Sequence, residues 1–460
     1  MGIALFFTVK FLPSLCAPLW GPLPINFLQN GTGTLDTHIE FPVLLSCCLY
    51  DIVYTTMRRL KAFCTPTVTK AMERSRLFPE LRKMNFRNHL NMNEKTNKTG
   101  GAFMHMADAL ISPFVGGVMW AVSAGATAYS TVHIKKMSAE QEEPDGGFVG
   151  KVSLMAISGA FVFAAQMINF TIPGTGSSGH IGGGMLLACL LGSYPALLTI
   201  TSVLAVQAFF FADGGLLSLG CNIFNMGVIP CLVVYPLLVK PLFQKQQESR
   251  NPGNFKYITA GSVLGVMLAL PLGAFFVVLE TLASGVTALP FSTFLLLMLP
   301  IHTAIAVGEA VVTAGVVVFV AANSYGGLIE DAVSGGGISK AGVFKRVLAV
   351  LGVCTLISGG LLSLFASSYP DGLEWSIEKI TGSTDIDAEG AVFERTAALQ
   401  DVTAFMPDYD YRTEPESDAA GGTTVAGIVG SLMVCAIAGA LGVALYLLKR
   451  KKARSHEACP

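Results

Sequence analysis

Three short stretches carry residue types that bind metal ions. The first is Met104-His105, which precedes a long apolar run. The second is Gly174-Thr175-Gly176-Ser177-Ser178-Gly179-His180, followed by Gly182-Gly183-Gly184. The third runs from Asp213-Gly214-Gly215 through Asn222 to Asn225-Met226. If Met104 is the N-terminus of the working protein, its α-amine, with a pKa of about 8, can shed its proton to a metal ion. The amide nitrogen of His105 follows when a strongly polarising ion binds, and the His105 imidazole closes a second chelate ring. Three nitrogens then lie in one plane, and the His180 imidazole can complete a square. Tetragonal nitrogen donors favour late divalent ions such as nickel or copper, and low-spin cobalt fits too. An internal Met-His has no free amine to offer, so the choice of start decides the chemistry.

Plainer roles exist for each stretch. A lone histidine in a loop is often an ordinary polar residue. The glycines before and after His180 can form a tight turn whose small residues pack the next helix. That stretch lacks the Gly-Lys-Ser/Thr of a phosphate loop, which discounts nucleotide binding. Asn222 and Asn225 either line a site or hydrogen-bond within a helix bundle. His302 and Glu309 lie seven apart in an apolar run, on one helix face. Ionisable residues inside a membrane are functional candidates by default; the alternative is an internal hydrogen-bonded pair that orders the bundle. Ser177, Asn222, Asn225, His302 and Glu309 are therefore candidates for supporting the metal ligands or lining the ion's path, with Gln207 and Glu280 weaker ones.

The elements that must position these residues are membrane helices. The chain has 460 residues, 52% hydrophobic and only 13% charged, against roughly a quarter charged in a soluble domain. Apolar runs of about twenty residues recur, the length that crosses a bilayer core. They fall near 113–131, 150–170, 181–193, 195–212, 219–241, 257–281, 299–323, 345–367 and 423–448, the third short for a full crossing. The expected fold is thus an all-α polytopic membrane protein of about nine transmembrane helices. The stretch 284–298 reads as a re-entrant or interfacial piece. Basic residues mark the cytoplasmic side: Lys135-Lys136, the Lys240–Lys256 loop, Lys340, Lys345, Arg346 and the Lys449–Arg454 tail. Nine spans starting from an outside Met104 put all of them inside, with the C-terminus cytoplasmic. The three chemical stretches then share the outer face.

Residues 1–103 differ from the rest, with scattered charge and a polar end at Asn91–Gly101. They read as an extension that is disordered or not native to the working protein. Gly100-Gly101, just upstream of Met104, fits a ribosome-binding signal in the encoding message. Residues 368–422 form an acidic outer loop that either is simply solvated or concentrates cations by its field. The ten cysteines have no zinc-like spacing and read as structural. No basic stripe with interleaved aromatics points to nucleic acid.

Taken together, Met104-His105-Met106-Ala107-Asp108-Ala109-Leu110-Ile111-Ser112-Pro113 resembles the start of the CbiM/NikM family. Gly174–His180 resembles that family's loop with its second histidine, and Phe211–Gly215 with Gly220–Gly227 its most recognisable block. His302–Glu309 also matches a family pattern. The likeness covers roughly 104–345. Residues 346–460 resemble the two-helix accessory component, CbiN/NikN, with Ser368-Tyr369-Pro370-Asp371-Gly372-Leu373-Glu374 heading its outer loop.

The resemblance implies the substrate-binding component of an energy-coupling-factor transporter in a prokaryotic cell membrane. Such a protein captures Co²⁺ or Ni²⁺ outside through the Met104 amine, the His105 amide and imidazole, and His180. It holds no permanent cofactor and no catalytic residue. A membrane coupling (T) component and two ATPase subunits would drive uptake, supplying cobalamin synthesis or, with nickel, a nickel enzyme. A secondary ion-coupled transporter would show inverted repeats, and none is convincing. A membrane metalloprotease would need a pair such as His-Glu-x-x-His, which the sequence lacks. It also lacks a Walker motif, so ATP hydrolysis would belong to partners.

Overall fold

The computed structural model describes residues 105–140, 145–249, 254–287, 289–324, 341–384, 386, 388–411 and 422–457. All of them belong to the second of two units into which the chain divides, Thr99–Pro460. Met104 and the extension 1–103 lie outside the described residues.

The apolar runs become helices because lipid offers the backbone no hydrogen-bond partners. In chain order these are α1 (Pro113–Glu140) and α2 (Asp145–Gln166), then the antiparallel hairpin β1 (Phe170–Ile172) and β2 (Ser177–Gly179). There follow α3 (Gly184–Leu191), α4 (Ser193–Phe210), α5 (Leu219–Gln247), α6 (Lys256–Ser284), α7 (Phe291–Ser324) and α8 (Ala341–Leu356). The accessory part adds α9 (Gly372–Thr381), α10 (Ala391–Thr403) and α11 (Gly422–Glu457). Among the described residues, six helical stretches are long and apolar enough to cross a membrane. They are α4, α5, α6, α7, Lys345–Phe365 and Gly422–Ala444, while Gly150–Gln166 is a shorter apolar helix. α1 presents Phe114, Val122, Tyr129 and Val132 outward, an apolar face suited to lipid.

Two stretches depart from the expected spans. α3, within the expected span 181–193, has 8 residues, about 12 Å at 1.5 Å per residue. That is short of the roughly 30 Å hydrocarbon core. It is buried along nearly its whole length against α4 and α5, so protein contact accounts for its apolar composition. The expected re-entrant piece 284–298 is instead the end of α6 followed by the first turns of α7. α5 also widens to i→i+5 hydrogen bonding over Phe224–Val239. Pro230 and Pro236 within it remove two donors from an ordinary α ladder.

The main core gathers Phe163, Leu186, Leu187, Leu197, Val203, Phe211 and Tyr235 from α2 to α5. A second core matters more for the site. It joins Met106, Leu110 and Ile111 to Phe294 and Met298 of α7 and to Leu373 and Ile377 of α9. Each such side chain contributes about 1.5–3 kcal/mol on full burial, so the arm after Met104 and the accessory helix α9 are anchored together. α11 packs along α2, α9 on α7 and α10 on α4. The described part of the expected acidic loop 368–422 is therefore folded and docked. Exposed acids remain at Glu389, Glu394, Asp401 and Asp410.

Candidate metal centre

The arm carrying His105 is fixed through its backbone. Met106 donates its amide to Asn222 Oδ1 at 3.1 Å, and Asn222 Nδ2 donates back to the Met106 carbonyl at 3.2 Å. The Gly215 amide (3.1 Å) and the Ser218 hydroxyl donate to that same carbonyl. Asp108 accepts the Ser218 amide at 2.9 Å. At about 1 kcal/mol net for each bond, this network holds residues 105–111 against the start of α5.

His105 is 3% exposed. Its Nδ1 lies 2.8 Å from Asp213 Oδ2. A carboxylate only accepts, so Nδ1 carries the proton, and the buried Nε2 has no hydrogen-bond partner. The Tyr409 hydroxyl, from the accessory part, donates to the same Asp213 oxygen. Burial pushes the Asp213 carboxyl up, but His105, Tyr409 and His180 outweigh it and hold it below its usual range. Asp408 and Tyr409 adopt left-handed backbone conformations, φ 52 and 61, which cost about 1–3 kcal/mol each. The Asp408 amide bond to the Phe211 carbonyl (2.8 Å) and the stacking of Tyr409 on Phe211 (5.1 Å) hold them there.

His180 follows β2. Its Nδ1 donates to the Ile181 carbonyl at 3.2 Å, which leaves Nε2 as the unprotonated nitrogen. The loop behind it is braced from α7. Glu309 Oε2 accepts the Gly182 amide at 2.7 Å and Oε1 the Gly183 amide at 3.0 Å. Gly183 sits at φ 77, where a Cβ would also meet Val162 at 2.3 Å, so only glycine fits. Gln207 donates to Gln166 (3.1 Å), which donates to the Gly182 carbonyl (3.0 Å).

The accessory segment completes the wall. Ser178 donates its amide to the Pro370 carbonyl at 2.8 Å and its hydroxyl to the Tyr369 carbonyl at 2.7 Å. Asp371 then caps α9: Oδ1 accepts the Leu373 amide (2.9 Å) and the Glu374 amide (2.8 Å), while Glu374 reaches back to the Asp371 amide. Asp371 Oδ2 is left 4.0 Å from His180 Nε2. Burial pushes the Asp371 carboxyl above its usual range despite the nearby His180.

These arms meet at a cavity of about 110 Å³. The His105 and His180 rings lie 5.5 Å apart, and Asn222, Asn225, His302, Glu309 and Asp371 share the lining. His302 Nδ1 donates to the Met298 carbonyl at 2.8 Å, and Asn225 donates to Glu280 at 2.8 Å. Glu309 and His302 therefore serve different partners instead of forming the pair that the sequence left open. Ser177 is not in the lining; its hydroxyl bonds the Ser178 carbonyl (3.1 Å) beside the docked accessory segment. Among the described residues, no three His, Cys, Asp or Glu side chains already converge as a metal site. The chelate ring expected between the His105 amide and its own imidazole needs Nδ1, which here faces Asp213; the ring must turn to close it.

Sequence reasoning missed Asp213 and Tyr409 as partners of His105, and Asp371 as a neighbour of His180. Asp213 stood in a stretch already singled out, and Asp371 in an Asp-x-x-Glu capping pattern; Tyr409 left no local signal.

Residues 105–325 match the CbiM family model, described as the cobalt uptake substrate-specific transmembrane region. A relative from Haloquadratum walsbyi, provisionally named a metal transport protein, is 31% identical over 48% of this chain and 90% of its own. The chain belongs to the CbiM family. Residues 345–447 match the PDGLE domain, the CbiN-like part. A further relative, from Archaeoglobus fulgidus, has the provisional name fused nickel transport protein NikMN. It is 29% identical over 74% of this CbiM-family chain and 98% of its own. A solved structure described as a transition metal transporter aligns with 48% of this chain and 94% of its own, at 26% identity and a TM-score of 0.40.

Proposed function

We propose that the chain is the substrate-binding membrane component of an energy-coupling-factor transporter, capturing Co²⁺ or Ni²⁺ outside the cell for ATP-driven uptake. The observation that carries this is the meeting of His105 and His180 at one buried cavity, their rings 5.5 Å apart. Two imidazoles alone are a thin donor set, and the backbone at His105 supplies the remainder. The ligands are the Met104 α-amine, the His105 amide nitrogen and imidazole, and the His180 Nε2. Capture turns the His105 ring so that Nδ1 leaves Asp213 for the ion. This chemistry requires a working chain that begins at Met104, with residues 1–103 removed or never translated.

The Met104 end lies outside and the C-terminus in the cytoplasm, which requires an odd number of passes and counts the short 181–193 segment that holds α3 as one of nine. The chain binds and does not catalyse. A membrane coupling component and two ATPase subunits drive release inward. Nickel, for a nickel enzyme, gains support from the name of the Archaeoglobus relative, of which this chain covers 98%. Cobalt for cobalamin synthesis is the competing cargo by the same mechanism.

The test is to purify forms starting at Met1 and at Met104, check their N-termini by mass spectrometry, and titrate each with Co²⁺ and Ni²⁺. One ion per chain in the Met104 form alone, lost in His105→Ala and His180→Ala, is the expected result, and the preferred ion names the cargo. Equal binding by an intact Met1 form would remove the amine from the ligand set.

A further inference from the structure

We propose that Gln166 and Gln207 are positioning residues for metal capture, tying the His180 loop to the arm that holds His105 so that the two imidazoles keep one spacing. The proposal rests on the metal-capture function above and adds no ligand to its four nitrogens.

Both glutamines are 0% exposed. Gln166 is the last residue of α2, and Gln207 lies in the last turn of α4. The direction of their bonds is forced. The Gly182 carbonyl only accepts, so Gln166 meets it with Nε2 at 3.0 Å and turns Oε1 to Gln207, whose Nε2 must then donate at 3.1 Å. The Gln166 amide thus accepts on one side and donates on the other, an arrangement in which each bond polarises the next.

Each end of this chain reaches a histidine ring. On one side, the Gln207 carbonyl accepts the Asp213 amide at 3.1 Å, and the Asp213 carboxylate accepts His105 Nδ1 at 2.8 Å. On the other, Gln166 holds the Gly182 carbonyl while Glu309 holds the Gly182 amide. That amide shares its planar peptide unit with the Ile181 carbonyl, the acceptor of His180 Nδ1. Gly182 has little room to shift, since a Cβ there would meet Leu270 at 3.2 Å and Glu309 Oε2 at 3.3 Å. The two rings are therefore joined from behind, each by its Nδ1, through the ends of two helices. A planar nitrogen set needs its donors held to within about 0.5 Å, and a shared support for both rings supplies that. A glutamine pair that served only to join α2 to α4 would have no need to bond a loop carbonyl as well.

The experiment compares full chains of the metal-binding form: wild type, the double variant Gln166→Met with Gln207→Met, Ser202→Ala and His180→Ala. Removing both glutamines together leaves neither side-chain amide orphaned, so the double variant should fold. Ser202 is buried in α4 and bonds the Leu198 carbonyl of its own helix, which makes it the control for lost helix packing. Each form is titrated with Ni²⁺ and with Co²⁺, and the ligand-field absorption of the loaded protein is recorded beside its melting temperature in detergent. The double variant should bind about 10–100-fold more weakly with shifted absorption bands, and Ser202→Ala should match wild type in both. Wild-type affinity and bands in the double variant would overturn the proposal whatever its melting temperature. An equal loss in Ser202→Ala would overturn it too, marking a general loosening of the bundle. Should the double variant not fold, Gln207→Met alone is judged by the same two readouts. If His180→Ala loses binding while the glutamine variants do not, the glutamines alone fall. If wild type binds neither ion, or His180→Ala binds as wild type does, the metal-capture function falls and this role with it.

Discussion

The two histidines of the cavity each face a buried carboxylate, but at different distances. His105 is in contact with Asp213 at 2.8 Å, whereas His180 stands 4.0 Å from Asp371. The closed contact fixes a tautomer and a ring orientation. The open one leaves the two side chains beyond hydrogen-bond distance. Their electrostatics diverge as well: Asp213 is held below the usual carboxylate range by His105 and Tyr409, while burial pushes Asp371 above it. Both carboxylates are tied to the accessory part, one through the Tyr409 hydroxyl and one by belonging to it. The tight contact thus orients the ring it holds, and the loose one leaves its carboxylate committed to capping α9.

Several variants break or sharpen this contrast. The largest effect is expected from His180→Ala, which removes a donor with no substitute and should lower Ni²⁺ or Co²⁺ affinity more than about 100-fold by titration, beyond the range for supporting residues. Next is Asp213→Asn, which loses the negative charge beside His105 and should weaken binding about 10–100-fold. A gain in affinity there would show instead that the carboxylate competes with the ion for Nδ1.

Tyr409→Phe keeps the stacking on Phe211 but leaves Asp213 short of a donor. It should cost about 1.5–3 kcal/mol of stability, read as a lower melting temperature in detergent, with only a few-fold change in affinity. The smallest effect concerns Asp408, whose carboxyl is pushed up to about 6 by burial and by Asp213. A raised carboxyl favours the folded state when protonated. That contribution is full below the unfolded value near 3.9 and is lost as pH rises through about 6. Asp408→Asn should therefore stabilise the protein more at pH 8 than at pH 4, and a pH-independent difference would contradict the assignment.

Much of this was legible in the sequence where residue type alone carried the information. His105 and His180 stood out because polar donors flank apolar runs, and Asn222, Asn225, His302 and Glu309 because apolar helices hide few polar residues without a use. Their roles were less legible. Asn222 holds the Met106 backbone, and Glu309 bonds the amides of Gly182 and Gly183; both partners are main-chain groups that leave no trace in side-chain patterns.

Asp371 and Tyr409 reach the site from a segment nearly two hundred residues beyond His180 or Asp213, and no local periodicity encodes such a meeting. The 181–193 stretch read as a short span, and its sequence could not tell burial in protein from burial in lipid, since both are equally apolar. Residues 291–298 belong to the start of α7, and Pro300 lies inside that helix without ending it.

The most direct test of the central claim is X-ray absorption at the metal edge of the chain loaded with one Ni²⁺ or Co²⁺, for wild type, His105→Ala and His180→Ala. Two imidazoles in a nitrogen-rich shell, with one lost in each variant that still retains metal at high concentration, is the predicted result. A shell of oxygens alone, or one unchanged by either substitution, would contradict capture by the two histidines.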